Sequence, residues 1–240
     1  MLPQPREIID LGALVTEDLP QRVWGEAFMA QMGFTEGNSF EVVDWEVEFP
    51  DGIVSGLNSY FTLFNHGGPH IDAPNHMDLG EGLDSYALDS FVGPLKVIDV
   101  SDYPLGRSVP LSVIQSYDIA PGDIVLIYTD YEFPAEGDLP HRIALSQVAA
   151  EYLATLPVRA FGTDAFNVDS DDNPTPPESS LAVQRVAPNH YAFLSRGIPI
   201  FEQLFNVDQL LGKERMYFVG APLNVEDADG MMVRPVVLVY

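Results

Sequence analysis

The sequence predicts an α/β fold with a mixed β-sheet that closes toward a barrel, and three observations support this prediction. First, short strand-like segments mix with helical segments, several of them in βα order in the second half of the chain. Second, 46% of the 240 residues are hydrophobic and 11% are aromatic, enough for a core and an enclosed pocket. Third, no internal repeat or low-complexity run divides the chain, so one domain over residues 1–240 is the simplest organisation.

Hydrophobic periodicity predicts the individual elements. A helix is predicted over residues 23–32, where one face carries Trp24, Ala27, Phe28 and Met32. Runs rich in β-branched and aromatic residues predict strands over residues 40–49, 60–64, 95–100, 124–128, 158–162, 216–220 and 233–239. Further helices are predicted over residues 111–117, 146–156 and 202–211, and Ser146 is placed to cap the second of these.

Composition and charge exclude several kinds of function. The sequence contains no Cys, so a metal site would have to use imidazole and carboxylate ligands. The formal net charge of −25 repels phosphate backbones and anionic lipids, so we expect neither a nucleic-acid nor a membrane partner. This acidity is typical of a solvated surface, and adaptation to high salt is the alternative. Because the sequence has neither a signal-peptide core nor an apolar run long enough for a membrane helix, we expect a cytoplasmic protein.

Three of the five histidines, His66, His70 and His76, fall within eleven residues together with Asp72, in the segment HGGPHIDAPNH. The proline at position 69 opposes a helix here because it pushes the residue before it toward extended backbone. In an extended chain, these four even-numbered residues point to the same side. A straight strand would place His66 about 13 Å from His70, so the intervening glycines must bend the chain. Pro74 can then redirect the chain so that His76 approaches from another side.

These residue types predict a catalytic metal site. Imidazole and carboxylate are ligands that Zn²⁺ and Mn²⁺ accept, and a catalytic site needs about three protein ligands and an open position. His66, His70 and Asp72 supply three ligands. A bound divalent ion lowers the pKa of its water toward about 7, and a nearby histidine can then move the proton. His76 is the candidate for this catalytic role. The alternative is a loop without a metal, in which the histidines only form hydrogen bonds with the backbone.

The segment resembles the signature H-x-G-T-H-x-D-x-P-x-H of the cyclase family that includes bacterial kynurenine formamidase and isatin hydrolase. Every metal-relevant position is kept, and Pro69 replaces the threonine. The resemblance extends over residues 9–11, 122–129 (GDIVLIYT), 162–169 (GTDAFNVD), 189–194, 197–204, 222–225 and 230–234. It implies a swivelling β/β/α fold in which a mixed sheet closes toward a barrel with surrounding helices.

The same resemblance adds His190 and Glu202 to the metal site, because they match the family's histidine and its glutamate twelve residues later. Without it, His190 would be a surface histidine and Glu202 a carboxylate favoured by a helix dipole. In two-metal members the counterpart of Asp72 bridges the ions, and the counterparts of His190 and Glu202 serve the second ion. Other members hold a single ion, so the sequence leaves one or two ions open. The resemblance also implies a homodimer or homotetramer.

Other polar residues near the matched segments receive different predictions. Asp164 and Asp169 follow a predicted strand, and we expect them to form turns or caps, with support of the metal ligands as the alternative. His141 is expected in solvent. Asp130 and Tyr131 stand where family members often carry glycine and tryptophan, so the chain departs from the family at its usual aromatic substrate pocket.

The leading hypothesis is hydrolysis of a small molecule, with aromatic compounds among the candidates, by metal-activated water. The substrate is an amide, a formamide or a cyclic amide whose carbon–nitrogen bond is cleaved, and His76 passes a proton to the leaving group. Arylformamidase-like and isatin hydrolase-like activities are equal alternatives, and lactone hydrolysis is another on the same fold. From other classes, a non-catalytic metal-containing binding protein and a structural metal site remain alternatives. A histidine beyond the ligands disfavours both, because structural sites are closed by four ligands.

Overall fold

The computed structural model describes residues 4–34, 36–133, 141–172 and 181–240. The strands are β1 (Glu7–Asp10), β2 (Ser39–Phe49), β3 (Gly52–Thr62), β4 (His70–Asp72), β5 (Val92–Asp99), β6 (Ser108–Val109), β7 (Ile124–Tyr128), β8 (Ala144–Leu145), β9 (Ala160–Thr163), β10 (Ile200–Glu202), β11 (Met216–Val219), β12 (Gly230–Met232) and β13 (Val236–Val239). The helices are α1 (Leu19–Trp24), α2 (Glu26–Met32), α3 (Leu111–Ile114), α4 (Gln147–Leu153), α5 (Ala182–Val186) and α6 (Pro188–Leu194). Short 3₁₀ helices span Pro74–Met77, Leu83–Ser85, Leu88–Phe91 and Val207–Leu210.

One curled nine-stranded sheet organises the fold, in the order β1-β13-β11-β5-β7-β9-β10-β4-β12. Its centre, β5-β7-β9-β10, is parallel, and the strands on both sides of this centre pair antiparallel. Central parallel strands are covered on both faces, and the uninterrupted apolar run of β7 meets that requirement. The predicted mixed sheet closing toward a barrel, with helices around it, is therefore confirmed.

Two hydrophobic cores lie on opposite faces of the sheet because side chains alternate along each strand. Val125 and Ile127 of β7 point into a core that includes α4 and α6. Their neighbours Ile124 and Leu126 point into the second core, which contains Ile71 of β4. Burying each large apolar side chain contributes about 1.5–3 kcal/mol, so these cores fix the strands that carry the polar residues of β4 and β10.

The β2–β3 hairpin stands apart from this sheet. Its two strands of eleven residues pair with each other from Ser39 opposite Thr62 to Phe49 opposite Gly52. Among the described residues, neither strand pairs with any other strand. Most of its side chains are exposed.

The structure confirms most predicted elements and moves several of their ends. All seven predicted strands occur, although β3 begins at Gly52 and not at position 60. Helix α4 begins as predicted, with Ser146 Oγ accepting a hydrogen bond of 3.3 Å from the backbone N–H of Ala149. The strands that were not predicted are β1, β4, β6, β8, β10 and β12, each of two to four residues.

Two helix predictions are wrong, because one predicted helix is divided in two and the other does not form. The helix predicted over residues 23–32 is divided into α1 and α2 at Gly25, whose φ of 73° no helix accommodates. The segment 202–211 is not a helix, since β10 ends at Glu202 and only a 3₁₀ turn follows. The left-handed backbone of Gln203 (φ 60°) and Asn206 (φ 56°) prevents a helix from beginning there. The helix predicted over residues 111–117 ends earlier, at Ile114.

Candidate metal centre

Strand β4 supplies two of the predicted ligands, His70 and Asp72. One residue separates them, so both side chains lie on the same side of the strand. Strand β10 pairs antiparallel with β4 and places Glu202 directly opposite His70. The Nε2 atom of His70 lies 3.2 Å from Asp72 Oδ1 and 3.7 Å from Glu202 Oε2. The pairing of two short strands thus joins residues that are far apart in sequence.

The bend that the sequence required between His66 and His70 is present. The chain turns at Gly67, whose N–H donates to the carbonyl oxygen of Phe64 at 2.9 Å. A Cβ on Gly68 would lie only 2.7 Å from the Leu19 side chain, so glycine lets this turn approach α1 closely. The turn brings His66 Nδ1 to within 2.9 Å of Asp72 Oδ1.

His76 reaches the same place from the 3₁₀ helix that begins at Pro74. Its ring centroid lies 4.3 Å from that of His66 and 5.9 Å from that of His190. Its side chain is a quarter exposed, whereas the imidazoles of His70 and His190 are almost completely buried. Of these three histidines, His76 is therefore the one that a small molecule can reach from solvent.

His190 enters from α6, on the other side of Asp72. Its Nε2 atom lies 3.7 Å from Asp72 Oδ2 and 3.4 Å from Glu202 Oε1. Without the family resemblance, His190 would have been expected at the surface and Glu202 in a first helical turn. Both positions are wrong, since the two residues are buried and Glu202 lies on a strand.

The structure thus brings all six predicted site residues together. They are His66, His70, Asp72, His76, His190 and Glu202.

The carboxylate of Asp72 has the features of a shared metal ligand. Both of its oxygens are fully buried, and neither accepts a hydrogen bond of good geometry from the described residues. Such a carboxylate is costly to bury unless a cation neutralises it. Two sets of potential ligand atoms, each within 4.8 Å, share this residue: His66 and His76 in one, His70 and Glu202 in the other. The residues present therefore fit a divalent ion held by nitrogen and oxygen.

The charges of the site favour the same interpretation. Burial alone would raise the pKa of Asp72, but neighbouring histidines, His70 and His76 foremost, hold it well below its usual range. Burial raises the pKa of Glu202 to about 7, and the Asp72 carboxylate adds to this effect. Burial opposes protonation of His66, but Asp229 and Asp72 raise its pKa to about 9. Two carboxylates buried at one site repel each other, and a bound cation would relieve this repulsion.

Outer contacts orient the predicted ligands. The Nδ1 atom of His190 hydrogen-bonds Asp169 Oδ2, which leaves Nε2 facing Asp72 and Glu202. The Nδ1 atom of His70 lies 2.8 Å from the carbonyl oxygen of Gly68. The backbone N–H of Val168 donates to Glu202 Oε1 at 2.7 Å. Asp169 thus contacts a predicted ligand, which was the alternative to the turn or cap expected for it, and such contacts fix which ring nitrogen is available to a metal.

Sequence reasoning missed Asp229, which contacts two of the histidines. Its Oδ2 atom lies 3.0 Å from His66 Nε2 and 3.6 Å from His76 Nδ1. Asn65 Nδ2 donates to its other oxygen at 2.8 Å. Hydrogen bonds from these histidines hold the pKa of Asp229 well below its usual range. The available signal was its position beside Gly230, which begins the last segment of the family resemblance. In the structure, a Cβ added to Gly230 would collide with the His66 ring.

Asp164 and His141 lie outside this cluster, as the sequence predicted. Asp164 accepts hydrogen bonds from Thr129 and from the backbone N–H of Tyr131. His141 is exposed and lies 3.1 Å from Asp171. Tyr131 lines a cavity of about 180 Å³ that includes none of the predicted metal ligands.

An aromatic cluster adjoins His66. Trp24 donates from Nε1 to the carbonyl oxygen of His66 at 2.8 Å. Its ring packs edge to face on Phe64 and Phe166, with centroids 5.3 and 5.1 Å away. These contacts fix the His66 turn from the side of α1.

Comparisons with known proteins identify the family of the chain. Residues 9–170 match the model of the "Putative cyclase" family. The chain is 31% identical over 176 residues to a kynurenine formamidase of Salinibacter ruber, covering 72% of this chain and 76% of that protein. It is 30% identical over 202 residues to a kynurenine formamidase of Bacillus cereus, covering 83% and 86% of the two chains.

Solved structures share the fold. Isatin hydrolase A from Ralstonia solanacearum superimposes with a TM-score of 0.71 at 23% identity, over 98% of this chain and 92% of that one. A potential metal-dependent hydrolase with cyclase activity gives a TM-score of 0.67 at 24% identity, over 98% of both chains. The family model covers the segment from His66 to His76 and ends just beyond Asp169, and α6 and β10 then add His190 and Glu202. The chain belongs to the cyclase family.

Proposed function

We propose that the protein is a metal-dependent hydrolase that cleaves a carbon–nitrogen bond of an amide or formamide, other than a peptide bond. The observation that carries this proposal is the fully buried Asp72 carboxylate, which belongs to two sets of potential metal ligands. The kynurenine formamidases among its relatives support a formamide as the first substrate class to test. Cyclic amides and lactones are the alternatives on the same fold.

The arrangement around Asp72 suggests which residues would hold the metal. His66 and His70 face Oδ1, and His190 faces Oδ2 beside Glu202. These residues, with Asp72 between them, would hold one or two divalent ions. Imidazole and carboxylate suit either Zn²⁺ or Mn²⁺. When bound, such an ion polarises the substrate carbonyl and lowers the pKa of water.

His76 is positioned for proton transfer. Its Nδ1 atom faces Asp229, which leaves Nε2 to exchange a proton with the reactants. His76 takes a proton from the attacking water while the water oxygen adds to the carbonyl carbon. It then delivers that proton to the leaving nitrogen as the carbon–nitrogen bond breaks. A formamide yields formate and an amine, and a positioned acid–base group of this kind contributes about 10²–10⁴-fold to the rate.

The direct test measures hydrolysis of a formanilide, an isatin-like lactam and a lactone by chelator-treated protein with Zn²⁺ or Mn²⁺ restored. We expect metal-dependent cleavage of the formanilide. His76→Ala should keep the bound metal and lose about 10²–10⁴-fold in turnover. His141→Ala is the matched control, because this exposed histidine lies outside the site and its removal should change neither property.

Each alternative gives a different result. Metal-loaded protein that binds these compounds without cleaving any of them would be a binding protein, and the proposed hydrolase would be wrong. Loss of metal from His76→Ala would make His76 a ligand, in agreement with its membership of one set of potential ligands. Wild-type turnover by His76→Ala would refute its role in proton transfer.

The cellular location stays a prediction. In the four described ranges, no helix has the length and apolar character needed to cross a membrane. The cytoplasm remains the location expected from the sequence.

A further inference from the structure

Among the described residues, no Lys or Arg side chain contacts the candidate metal centre. The sequence has eleven Lys and Arg residues, and all of them fall within the described ranges. Within those ranges, the ion pairs of the six predicted site residues and of Asp229 join only histidines and carboxylates. Several cations are paired elsewhere, such as Lys213 with Glu7 at 2.6 Å and Arg234 with Asp10 at 2.7 Å. The site therefore presents no fixed cation to a carboxylate on a substrate.

Two arginines lie on elements next to the site, and both are engaged. The Nε atom of Arg142 donates to the carbonyl oxygen of Asp169 at 2.6 Å, and its guanidinium lies 3.0 Å from Asp171. Its side chain is mostly buried in this position. Arg185, on α5, is not free either. A substrate carboxylate would have to displace existing contacts to reach either guanidinium.

Carboxylates border the exposed edge of His76. The side chain of Asp229, 3.6 Å from His76 Nδ1, is about half exposed. Two segments meet here, because the backbone N–H of Asp227 donates to Asp84 Oδ1 at 3.0 Å and Asn75 Nδ2 donates to the carbonyl oxygen of Asp227 at 2.9 Å. Residues 76–84 and 225–230 contain no Lys or Arg. Five carboxylates of these segments are here called the acidic rim: Asp78, Glu81, Asp84, Asp227 and Asp229.

We propose that the active site selects amides or formamides by the charge of the part that is not cleaved, preferring positively charged over uncharged and uncharged over anionic substrates. This inference rests on the proposed function and names the substrate class of the same site. When the carbonyl end of a substrate lies at the candidate metal centre, its other end extends toward His76 and solvent. There it meets the acidic rim.

Electrostatics gives the reason for this order. A cleft lined by charges of one sign concentrates ligands of the opposite sign and raises their association rate by about 10–10³-fold. An anionic substrate meets the reverse effect, because like charges brought together without a cation between them are unfavourable. The formal net charge of −25 extends the same field over the whole protein. The rim carboxylates are exposed, so dissolved salt must weaken the selection.

The test compares three formanilides that differ only at the 3-position of the ring: one carries ammoniomethyl, one methyl and one carboxymethyl. The methylene group separates each charge from the electrons of the amide. We measure kcat/KM with metal-loaded protein and divide it by the rate of alkaline hydrolysis of the same compound. At an ionic strength of about 0.01 M the ammonium compound should exceed the carboxylate compound by at least about 10-fold. The ratio should approach 1 at about 1 M, where the Debye length falls to about 3 Å.

A triple variant with Asp78→Asn, Asp84→Asn and Asp227→Asn removes three charges of the acidic rim. Asparagine keeps an oxygen that can accept the hydrogen bond of Asp84, and it tolerates the left-handed backbone of residues 78 (φ 55°) and 227 (φ 53°). The ratio between the ammonium and carboxylate compounds should therefore fall toward 1 at low ionic strength. If the triple variant does not fold, as judged by circular dichroism, Asp227→Asn alone tests the rim.

The matched control changes the net charge by the same amount at exposed positions on other elements. It combines Asp118→Asn, Glu151→Gln and Glu214→Gln, and it should keep the wild-type ratio. The proposed selection is wrong if the control lowers the ratio as much as the rim variant does, or if wild type cleaves the carboxylate compound as efficiently as the ammonium compound at low ionic strength. Equal cleavage of all three compounds would overturn the selection and leave the hydrolase standing. No cleavage of any of them would overturn the proposed function as well.

Discussion

Replacement of Asp169 by Asn tests whether the contacts behind the predicted ligands set metal affinity. The carboxylate of Asp169 accepts two hydrogen bonds, from His190 Nδ1 and, at 2.7 Å, from the backbone N–H of Asn189. An amide has one acceptor oxygen, so in Asp169→Asn one of these buried donors must face an NH₂ group. An unsatisfied buried donor costs about 1–3 kcal/mol. We therefore expect a folded protein with a lower free energy of unfolding.

The larger expected effect is on the metal. A carboxylate that accepts from the distal nitrogen of a metal-bound histidine fixes its tautomer, and removing it typically costs about 10–100-fold in affinity. That range corresponds to about 1.4–2.8 kcal/mol of binding free energy. The measurement is competition with a chromophoric chelator, for Zn²⁺ and for Mn²⁺ separately. His70→Ala, which removes a predicted ligand on β4, should lose far more.

The matched control is Asp164→Asn, a second buried aspartate whose hydrogen bonds go to Thr129 and Tyr131. It should leave the affinity for metal unchanged. Wild-type affinity in Asp169→Asn would refute the orienting role of Asp169. Equal loss in both variants would show that general loosening of the fold, and not His190, is responsible.

Two other predictions concern pH and the contact that the sequence did not reveal. Burial raises the pKa of Asp164 from 3.8 to about 6, so the folded protein binds this proton more tightly than the unfolded chain. The stability that the protonated Asp164 carboxyl contributes is therefore complete below pH 3.8 and is lost as the pH rises through about 6. The advantage of wild type over Asp164→Asn in unfolding free energy should therefore shrink by about 3 kcal/mol between pH 3.5 and 7; an advantage that grows over this interval would contradict the assignment. Asp229→Asn should retain metal and lose about 10–100-fold in kcat, because Asp229 orients His66 and His76. Glu226→Gln, an exposed change nearby, is its control, and equal activity in the two variants would count against this role.

The sequence was sufficient for the local features of the site. The parity of His66, His70 and Asp72, the glycines between them and the following proline predicted a bent segment with side chains on one side. These features follow from backbone geometry within a few residues, where the sequence leaves few alternatives. The long apolar strands were predictable for the same reason, since periodicity over five or more residues is a local property.

Long-range pairing decided the rest. Strands β4, β10 and β12 are three residues long and show no period, so only their hydrogen bonds with one another place Glu202 opposite His70 and Gly230 opposite Asp72. That pairing also overrode the helical tendency of residues 202–211 and brought Asp229 beside two histidines. The sequence by itself determined which residue types could bind a metal. The tertiary structure determined which of them surround the Asp72 carboxylate, because distances between remote residues depend on the packing of the whole sheet.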